Sequence, residues 1–425
     1  MEKHKESIGE NRQNAIPNAK TSGSRTPNVP ALRFPEFTGE WRFVHLEEVA
    51  EFQKQRIFTA LLNNGNYIST ENILQNFEGI QYSSSIPANT NVIEYQKGDI
   101  LLSNIRPYLK KVWFADRKGG CSADVFVLRG DKCDQHFLYY VIASNRFINY
   151  VMSGAKGVKM PRGDKSQMEK YAFSIPTNTE QRKIAKFLSM LDERIRLQNK
   201  IIEDLKKLKS AITEILFCTP KESMPSKRLS VYKNEWKLVR LSDICQRIRT
   251  KNVGGQCRQV LTIAAQYGLV NQEDFFNKTV ASENLEGYYL LQKGDFAYNK
   301  SYSGDYTWGA IKRLGLYEQG VLSPLYICFR PDITKVDADY LAHYFESKKW
   351  YKGIADIAGE GARNHGLLNI SVIDFFDTIH RIPDLKEQKV IAQFLNMFSS
   401  KLSCEQRIMQ SLTKQRNYLL QKMFI

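Results

Sequence analysis

Basic and aromatic side chains are concentrated in five short segments that also carry glycine, proline or asparagine, the residues of turns and loops. Arginine and lysine neutralise phosphates, and arginine and asparagine can also read base edges through paired hydrogen bonds. For any single residue, the alternative is an ordinary solvated turn position. As a set the segments predict DNA contact, and the candidates are Arg106, Tyr108, Lys110 and Lys111 in SNIRPYLKK; Lys156, Lys159, Arg162 and Lys165 in GAKGVKMPRGDK; Arg247, Arg249 and Lys251 in QRIRTKNVGGQCR; Lys300, Tyr302, Tyr306 and Lys312 in YNKSYSGDYTWGAIKR; and Arg363 and Asn364 in GARNHG.

The charge of the chain points to the same kind of partner. Over 425 residues, 61 lysines and arginines stand against 45 aspartates and glutamates, which gives a net charge of +16. A balance of this size suits a protein that works against a polyanion. A protein that is merely basic remains the alternative at this point.

The motifs of catalysis, metal binding and cofactor binding are missing from the sequence. It contains no P-loop, no Asn-Pro-Pro-Tyr or Asp-Pro-Pro-Tyr motif of amino-methyltransferases, and no Cys-x-x-Cys pair. PDLKEQK loosely resembles the acidic pair plus lysine of a metal-dependent nuclease, but the matching segment has Thr177 where an aspartate would be required. We therefore predict no catalytic, metal or cofactor residue in this chain.

The cysteines and the amino-terminal segment bear on location. Seven scattered cysteines favour reduced thiols in a cytoplasm over a disulfide framework. No apolar run reaches the length of a membrane span, and the first residues lack the apolar core of a secretory signal. Residues 1–29 are polar and rich in Asn, Ser and Pro, which is typical of a flexible arm.

One segment of the sequence occurs twice. IPTNTEQRKIAKFLSMLDERI begins at Ile175, and IPDLKEQKVIAQFLNMFSSKL begins at Ile382. Upstream, GEWRFVHLEEVAEF is matched by NEWKLVRLSDICQR, and YQKGDILLSN is matched by LQKGDFAYNK. The chain is therefore a tandem of two similar modules, each followed by a long helix.

Each repeated segment predicts a helix of roughly 39 residues. Thr177 with Glu180, and Asp384 with Glu387, have the spacing of a capping box, in which the cap and the glutamate satisfy each other's amides. Apolar residues then recur at alternating steps of four and three, the spacing of a coiled-coil seam. The two seams are Ile184, Leu188, Leu191, Ile195, Gln198, Ile202, Leu205, Lys209, Ile212 and Leu216, and Ile391, Leu395, Phe398, Leu402, Glu405, Met409, Leu412, Arg416, Leu419 and Met423.

The polar positions of these seams indicate that the helices pack on each other. Both copies interrupt the stripe at the same two steps, and a polar seam residue fixes register at a cost in stability. Ordinary core helices of two unrelated domains are the alternative. Within the modules, DILLSNI, ADVFVLR and LYICFR read as strands and DQHFLYYVIASNRFINYVM as a helix, so the predicted fold class is α+β.

Taken together, these segments resemble one protein family. LRFPEFTGEWRFVHLEEVAEF, KGDILLSNIRP, KGDFAYNKSYSGDY, GLLNISVIDFFDT and the two Ile-Pro-x-x-x-Glu-Gln helices are similar to the specificity (S) subunits of type I restriction–modification enzymes, the HsdS family. The resemblance covers Pro30 to Ile425, and the long polar arm before Pro30 departs from it. It implies two target-recognition domains joined by two antiparallel coiled-coil helices, with the segments 1–29 (flexible arm), 30–176 (recognition domain 1), 177–217 (central helix), 218–228 (linker), 229–383 (recognition domain 2) and 384–425 (carboxy-terminal helix).

The resemblance also implies partners. Each recognition domain would read one half of a split sequence in double-stranded DNA, and the helices would set the distance between the halves. Two methyltransferase subunits using S-adenosylmethionine and two restriction subunits using ATP and Mg²⁺ would assemble on the chain, which would have no catalysis of its own. A coiled-coil adaptor with protein-binding modules and a self-contained nucleic-acid enzyme remain as alternatives.

Overall fold

The structure, a computed structural model, describes residues 28–82, 85–229, 232–264, 268–276, 284–301, 306–358 and 366–425. The chain divides into two compact units. The first unit comprises the residues up to Glu193 together with Thr413–Ile425, and the second comprises Arg194–Leu412. Each unit therefore contains part of both long helices.

The first unit is a mixed module of short strands followed by helices. Its strands are β1 (Arg42–His45), β2 (Ala50–Phe52), β3 (Arg56–Phe58), β4 (Tyr67–Ile68), β5 (Asn91–Tyr95), β6 (Ile100–Ser103), β7 (Val112–Phe114), β8 (Gly119–Cys121), β9 (Val125–Gly130) and β10 (Ala172–Ile175). Its helices are α1 (Gln135–Ile142), α2 (Asn145–Ser153), α3 (Lys165–Glu169) and the beginning of α4 (Asn178–Leu216).

The second unit repeats this arrangement. Its strands are β11 (Lys237–Arg240), β12 (Cys245–Arg247), β13 (Leu261–Ala264), β14 (Gly268–Asn271), β15 (Tyr289–Gln292), β16 (Phe296–Asn299), β17 (Ala310–Arg313), β18 (Gln319–Leu322), β19 (Ile327–Pro331) and β20 (Ile379–Ile382). Its helices are α5 (Leu241–Ile244), α6 (Gln272–Phe276), α7 (Ala338–Glu346), α8 (Tyr351–Ile357), α9 (Val372–Phe376) and the beginning of α10 (Leu385–Lys422).

The order of the central sheet is the same in both units, whereas the neighbouring strands form one sheet, β3-β5-β8-β4, in the first unit and two pairs, β13-β14 and β15-β18, in the second. The central sheet runs β2-β9-β6-β7 in the first unit and β12-β19-β16-β17 in the second, antiparallel throughout. A two-stranded ribbon, β1 with β10 or β11 with β20, leads into each long helix. The predicted internal repeat is thus present in the backbone pairing as well as in the sequence.

Alternate side chains of the central strands enter two different cores. On β6, Ile100 and Leu102 pack with the helices, whereas Leu101 packs with residues of the neighbouring sheet. On β16, Phe296 and Tyr298 likewise face the helices, and Ala297 faces the other way. Because successive side chains of a strand point to opposite faces, an apolar run such as DILL is what a strand covered on both sides requires.

The two long helices have 39 and 38 residues, as the seam predicted, and they pack antiparallel within each unit. In the first unit, Ile184 near the start of α4 shares a core with Met423 at the end of α10. In the second, Leu216 at the end of α4 shares a core with Ile391 near the start of α10. Every predicted seam residue is buried or half-buried.

Three of the four polar seam positions, Gln198, Glu405 and Arg416, bind across the helix pair. In the second unit, the Gln198 side-chain amide donates to a Glu405 carboxylate oxygen over 2.5 Å and to the Glu405 carbonyl over 3.1 Å. In the first unit, Arg416 pairs with Asp192, which also accepts from the Tyr140 hydroxyl over 3.0 Å. A shift of one helix along the other would separate these polar partners and leave them buried without hydrogen bonds. The pairs therefore favour a single register of the two helices.

The prediction of a full capping box was wrong in its second half. Asp384 does accept from the Glu387 amide over 3.0 Å, as an N-cap residue should. The Glu387 carboxylate, however, does not return to the cap and accepts hydrogen bonds from Nε and Nη2 of Arg228. In the first unit, Glu180 binds Arg33 in the same bidentate way. A charged bidentate pair is stronger than a hydrogen bond to one backbone amide, so the carboxylate binds the arginine and not the amide.

The segment predicted as one helix, DQHFLYYVIASNRFINYVM, is two. Helix α1 ends at Ile142, and α2 begins at Asn145. Ser144 separates them because its hydroxyl accepts from the Phe147 amide and so caps α2. Serine competes with the helix for backbone bonds, and here that local bond ends one helix and starts another.

A buried histidine makes the second unit sensitive to acid. His380 on β20 contacts the Tyr344 hydroxyl through Nδ1 over 2.9 Å and Thr378 Oγ1 through Nε2 over 2.8 Å. Thr378 Oγ1 donates its proton to the Phe375 carbonyl, so it accepts from His380, and Nδ1 must accept from Tyr344. Burial in this neutral state lowers the pKa of His380 to about 4.

We therefore expect the second unit to lose stability as pH falls from about 6.5 towards 4, because the unfolded chain then binds the proton that the folded unit excludes. The contribution of His380 to this loss should reach about 2 kcal/mol near pH 5 and about 3 kcal/mol near pH 4. Urea unfolding, followed by hydrogen exchange resolved to each unit, measures it. His380→Gln should be less stable at neutral pH but should lose less between neutral pH and about pH 5. An equal loss in the variant would contradict the assignment.

Candidate nucleic-acid interface

A matched turn positions the first candidate segment of each unit. In the Lys-Gly-Asp turns, Gly98 and Gly294 have φ of 94° and 98°, a left-handed conformation that glycine adopts without strain. The carboxylate that follows, Asp99 or Asp295, accepts from the amide that opens the turn and pairs with an arginine of the adjacent strand. That arginine is Arg129 in the first unit and Arg330 in the second. The Lys-Gly-Asp repeat is therefore a structural anchor that sends β6 and β16 towards the candidate segments.

In the first unit, the structure brings two predicted segments together. The Arg106 amide donates to the Pro161 carbonyl over 2.7 Å, and the Gly163 amide donates to the Asn104 carbonyl over 3.1 Å. Lys156 and Arg162 exchange two backbone hydrogen bonds, so the segment between α2 and α3 closes on itself. We call residues 104–111 and 154–165 the paired loops.

The paired loops expose much of their side-chain surface. Arg106 and Lys159 are exposed, and Tyr108 keeps 48% of its surface accessible. At the tip, Val158 is fully exposed and Met160 is 47% exposed. The exposed cations suit contact with phosphates, and the exposed aromatic and apolar side chains suit contact with the faces of bases.

Several cations of the paired loops already have carboxylate partners. Lys156 lies 2.9 Å from Asp164, and Arg162 lies 3.2 Å from Asp124. Lys165 lies 3.5 Å from Glu169 and 5.1 Å from the centre of the Phe52 ring. The hydrogen bond that the Asp164 carboxylate accepts from the Lys156 ammonium lowers the pKa of Asp164. Asp124 and Asp164 were not singled out in the sequence, although the position of Asp164, directly before a short helix, is an N-cap signal.

Lys110 and Lys111 are less available than the sequence suggested. Lys110 is half-buried, and its carbonyl accepts from the Phe77 amide over 3.0 Å. The Lys111 ammonium donates to the Thr70 carbonyl over 2.6 Å, and burial lowers its pKa. Lys111 therefore has an internal role in fixing the end of its loop.

In the second unit, the structure places Lys300 beside a matching segment. The Leu368 amide donates to the Lys300 carbonyl over 2.9 Å, and Ser301 bridges to Leu367. This repeats the bridge between Ile105 and Arg162 in the first unit. The Lys300 side chain is half-buried, with Nζ 3.4 Å from the Ile370 carbonyl oxygen. Tyr302, Arg363 and Asn364, which were predicted at this position, lie outside the described residues.

The remaining candidates of the second unit are divided between surface and interior. Arg247 and Arg249 are exposed, but β12 pairs with β19, which separates it from β16 in the sheet. Lys251 lies 3.7 Å from the centre of the Tyr289 ring and donates to the Gly287 carbonyl over 2.7 Å.

Lys312 does not fit the predicted interface. It is 8% exposed on β17, where its ammonium lies 2.5 Å from Glu346 and 5.3 Å from the centre of the half-buried Tyr306 ring. Burial of β17 under α7 gives Lys312 an internal carboxylate partner, and a phosphate would have to displace it.

Metal clusters, membrane-spanning helices and cavities can be assessed over the part of the chain that the structure describes. No cluster of three or more His, Cys, Asp or Glu there is placed to hold a metal ion, and no helix among those residues is long and apolar enough to cross a membrane. A cavity of about 680 Å³ in the first unit is lined by residues such as Arg146, Phe173 and Phe424, and none of the predicted DNA-binding residues lines it.

The chain is similar to known proteins in sequence. A family model described as the type I restriction modification DNA specificity domain matches residues 38–207. The chain is 25% identical over 165 residues to the type I restriction enzyme EcoDI specificity subunit of Escherichia coli, covering 37% of this chain and 36% of that protein. It is 26% identical over 223 residues to the MjaVIII specificity subunit of Methanocaldococcus jannaschii, covering 50% of each. The chain thus spans half or less of these two relatives.

A solved structure is similar over nearly its whole length. The S subunit of a type I restriction-modification system from M. genitalium matches with a TM-score of 0.59 at 17% identity, covering 93% of this chain and 99% of that one. At this level of identity the match shows a shared fold of mixed modules joined by long helices.

Proposed function

We propose that the chain is a specificity subunit of the type I restriction–modification family and that it binds double-stranded DNA at a bipartite sequence. Residues 38–207 match the DNA specificity domain of that family. The observation that carries the proposal is the repeated use of one device. In each unit, the segment after the Lys-Gly-Asp turn lies against the segment before the last short helix. In the first unit predicted DNA-binding residues belong to both segments, and in the described part of the second unit Lys300 belongs to one of them. Two copies of one reading device suit two half-sites.

The first unit supplies its half-site contacts from the paired loops. Arg106, Lys156, Lys159 and Arg162 are the side chains that a phosphate backbone or a base edge can reach, since all four are exposed. In the second unit, the described candidates are Arg247, Arg249 and Lys300. A sequence read through such groups combines salt-dependent phosphate contacts with a smaller number of base contacts.

The chain would act as a scaffold without chemistry of its own. We place two methyltransferase subunits, which use S-adenosylmethionine, and two restriction subunits, which use ATP and Mg²⁺, as its partners in the cytoplasm. Exposed apolar side chains on the second-unit part of α4, Leu197, Ile201, Leu208 and Ile215, support a role in docking a partner helix. Their spacing of four, seven and seven residues puts them along one side of the helix.

Salt-titrated binding to random duplex DNA tests the proposal on the purified full chain. We expect the logarithm of the affinity to fall linearly with the logarithm of salt concentration, because counterions are released when lysines and arginines meet phosphates. Absent or salt-independent binding would contradict the proposal and favour a protein-binding adaptor.

The same preparation should neither methylate nor cleave DNA when S-adenosylmethionine, ATP and Mg²⁺ are supplied. Activity should appear only after methyltransferase and restriction subunits are added. Methylation or cleavage by the chain alone, with a specific activity that rises on further purification, would show that the chain is an enzyme. Mapping methylated adenines in cells that carry the chain with its partners would then identify the sequence recognised.

A further inference from the structure

In one of the two paired loops of the first unit, residues 154–165, the protein itself neutralises most of the cations. Four cations lie between α2 and the start of α3. Lys156, Arg162 and Lys165 each have a carboxylate oxygen within 3.5 Å, and Lys159 is the fourth. The partner of Lys165, Glu169, lies in the same short helix, α3. The other two carboxylates, Asp124 and Asp164, lie outside that helix. They hold the two cations that also carry the closing backbone bonds of the loop.

The Asp164 carboxylate and the Asp124 backbone are each held by other bonds. Asp164 uses Oδ1 to accept from the Gln167 amide, which caps α3, and Oδ2 to bind Lys156. The Asp124 carbonyl accepts from the Asn104 amide over 2.8 Å, at the point where the two paired loops meet. The Asp164 carboxylate cannot withdraw when DNA approaches without giving up the helix cap, and the backbone from which the Asp124 side chain projects is fixed at the junction of the loops.

The cations, by contrast, are free to change partner. Lys156 is 82% exposed and Arg162 is 53% exposed, so water reaches both ion pairs. Exposed pairs of this kind contribute little to stability, about 0–1 kcal/mol at the median. A DNA phosphate can therefore take over each cation at small cost, provided that the phosphate arrives where the carboxylate does not oppose it.

We propose that Asp124 and Asp164 are specificity-determining residues, whose carboxylates stand in for DNA phosphates in the free protein and penalise duplexes that place a phosphate out of position. The proposal rests on the proposed function. In free protein the two aspartates hold Arg162 and Lys156 near their binding geometry. On a poorly fitting duplex, the same charges repel the backbone and reduce the gain from the cations.

The second unit provides the matched substitution. Ser371 occupies the position before α9 that Asp164 occupies before α3, and its hydroxyl caps the helix by accepting from the Asp374 amide over 3.1 Å. Serine therefore preserves the cap and removes the charge. Asp164→Ser, Asp124→Asn and the double variant isolate the electrostatic effect from loss of the loop.

The experiment measures binding of each full-chain variant to random duplex DNA and to the sequence that wild type selects from a random library. For each aspartate removed, we expect affinity for random duplex to rise about threefold to tenfold, and the salt dependence to steepen by up to about one unit. Affinity for the selected sequence should change less, so discrimination falls.

Asp116→Asn is the charge control, because Asp116 pairs with Arg117 away from the candidate residues. If it raises random-duplex affinity as much as the loop variants do, the effect is general charge and the inference is overturned. Salt-dependent binding by wild type with no change in the loop variants overturns the inference alone. If neither wild type nor any variant binds duplex DNA, the proposed function fails as well.

Discussion

Glu387→Gln should destabilise the second unit by about 3–5 kcal/mol, because it leaves a buried guanidinium without its counter-charge. The Arg228 side chain is 13% exposed and that of Glu387 is 3% exposed. Arg228 donates to both carboxylate oxygens, over 2.8 and 2.5 Å, and Trp236 Nε1 donates to one of them over 3.2 Å. Glutamine keeps the shape but offers a single neutral acceptor for three donors, so one of them loses its bond.

The chain contains two controls for this prediction. Asp377 pairs with Arg240 at 3.5 Å, and both side chains are more than half exposed, at 52% and 64%. Asp377→Asn should therefore cost no more than about 1 kcal/mol. In the first unit, Glu180→Gln should resemble Glu387→Gln, since Arg33 binds Glu180 in the same bidentate way.

Replacing both partners separates the cost of an orphaned charge from the value of the pair. Arg33→Met with Glu180→Leu should recover most of the stability lost in Glu180→Gln, because no buried charge remains. Arg228→Met with Glu387→Leu should recover less, since Trp236 Nε1 then has no acceptor. Hydrogen exchange resolved to each unit across a urea series measures all of these. A cost below about 1 kcal/mol for Glu387→Gln would mean that water reaches Arg228 after substitution.

The helices and the repeat were readable from sequence because the signals are local and occur twice. A cap, a stripe of alternating four and three steps, and the prolines after β10 and β20 predicted α4 and α10 nearly to their ends. The role of Glu180 and Glu387 was not readable, because their partners lie 147 and 159 residues away. Local spacing favours the capping box, and only the folded chain shows that an arginine competes for it.

The candidate interface was predictable in composition but not in arrangement. Loop chemistry identified Arg106 and Arg162 separately, and no local pattern indicated that the backbone of one loop would hydrogen-bond to the other. Lys312 illustrates the opposite case. It lies in a sequence rich in basic and aromatic residues, yet β17 is covered by α7, which supplies Glu346. Burial by a distant helix is a property of the topology and leaves no mark next to the lysine.

The second large effect concerns Arg106, which we expect to read the half-site of the first unit. Arg106 is exposed, and its backbone is held at φ 51° between β6 and the short turn that begins at Pro107. The left-handed conformation and the bond from its amide to the Pro161 carbonyl fix where the side chain begins. A guanidinium positioned in this way can donate two parallel hydrogen bonds to a guanine edge.

Arg106→Ala should reduce affinity for the selected sequence by about 1–3 kcal/mol and relax preference at one position of one half-site. Arg106→Lys distinguishes the two kinds of contact, since lysine keeps the charge but cannot form the paired bonds. If Arg106 binds a base, the lysine variant should lose sequence preference and retain its salt slope. If Arg106 binds only phosphate, the lysine variant should behave as wild type, while the alanine variant weakens binding to all duplexes and flattens the slope by about one unit.

Lys300→Ala is the comparison in the second unit, at the matching place after the Lys-Gly-Asp turn. Its ammonium is half-buried near the Ile370 carbonyl, so we expect a smaller loss, confined to the other half-site or to the salt slope. Selection from a random duplex library by each full-chain variant reports the preference at both half-sites in one measurement, and a salt titration of each variant gives the slope. Because each unit contains its own copy of the turn, the two substitutions should alter different halves of the selected sequence. Loss of the same half in both variants would mean that the two units do not read separate half-sites.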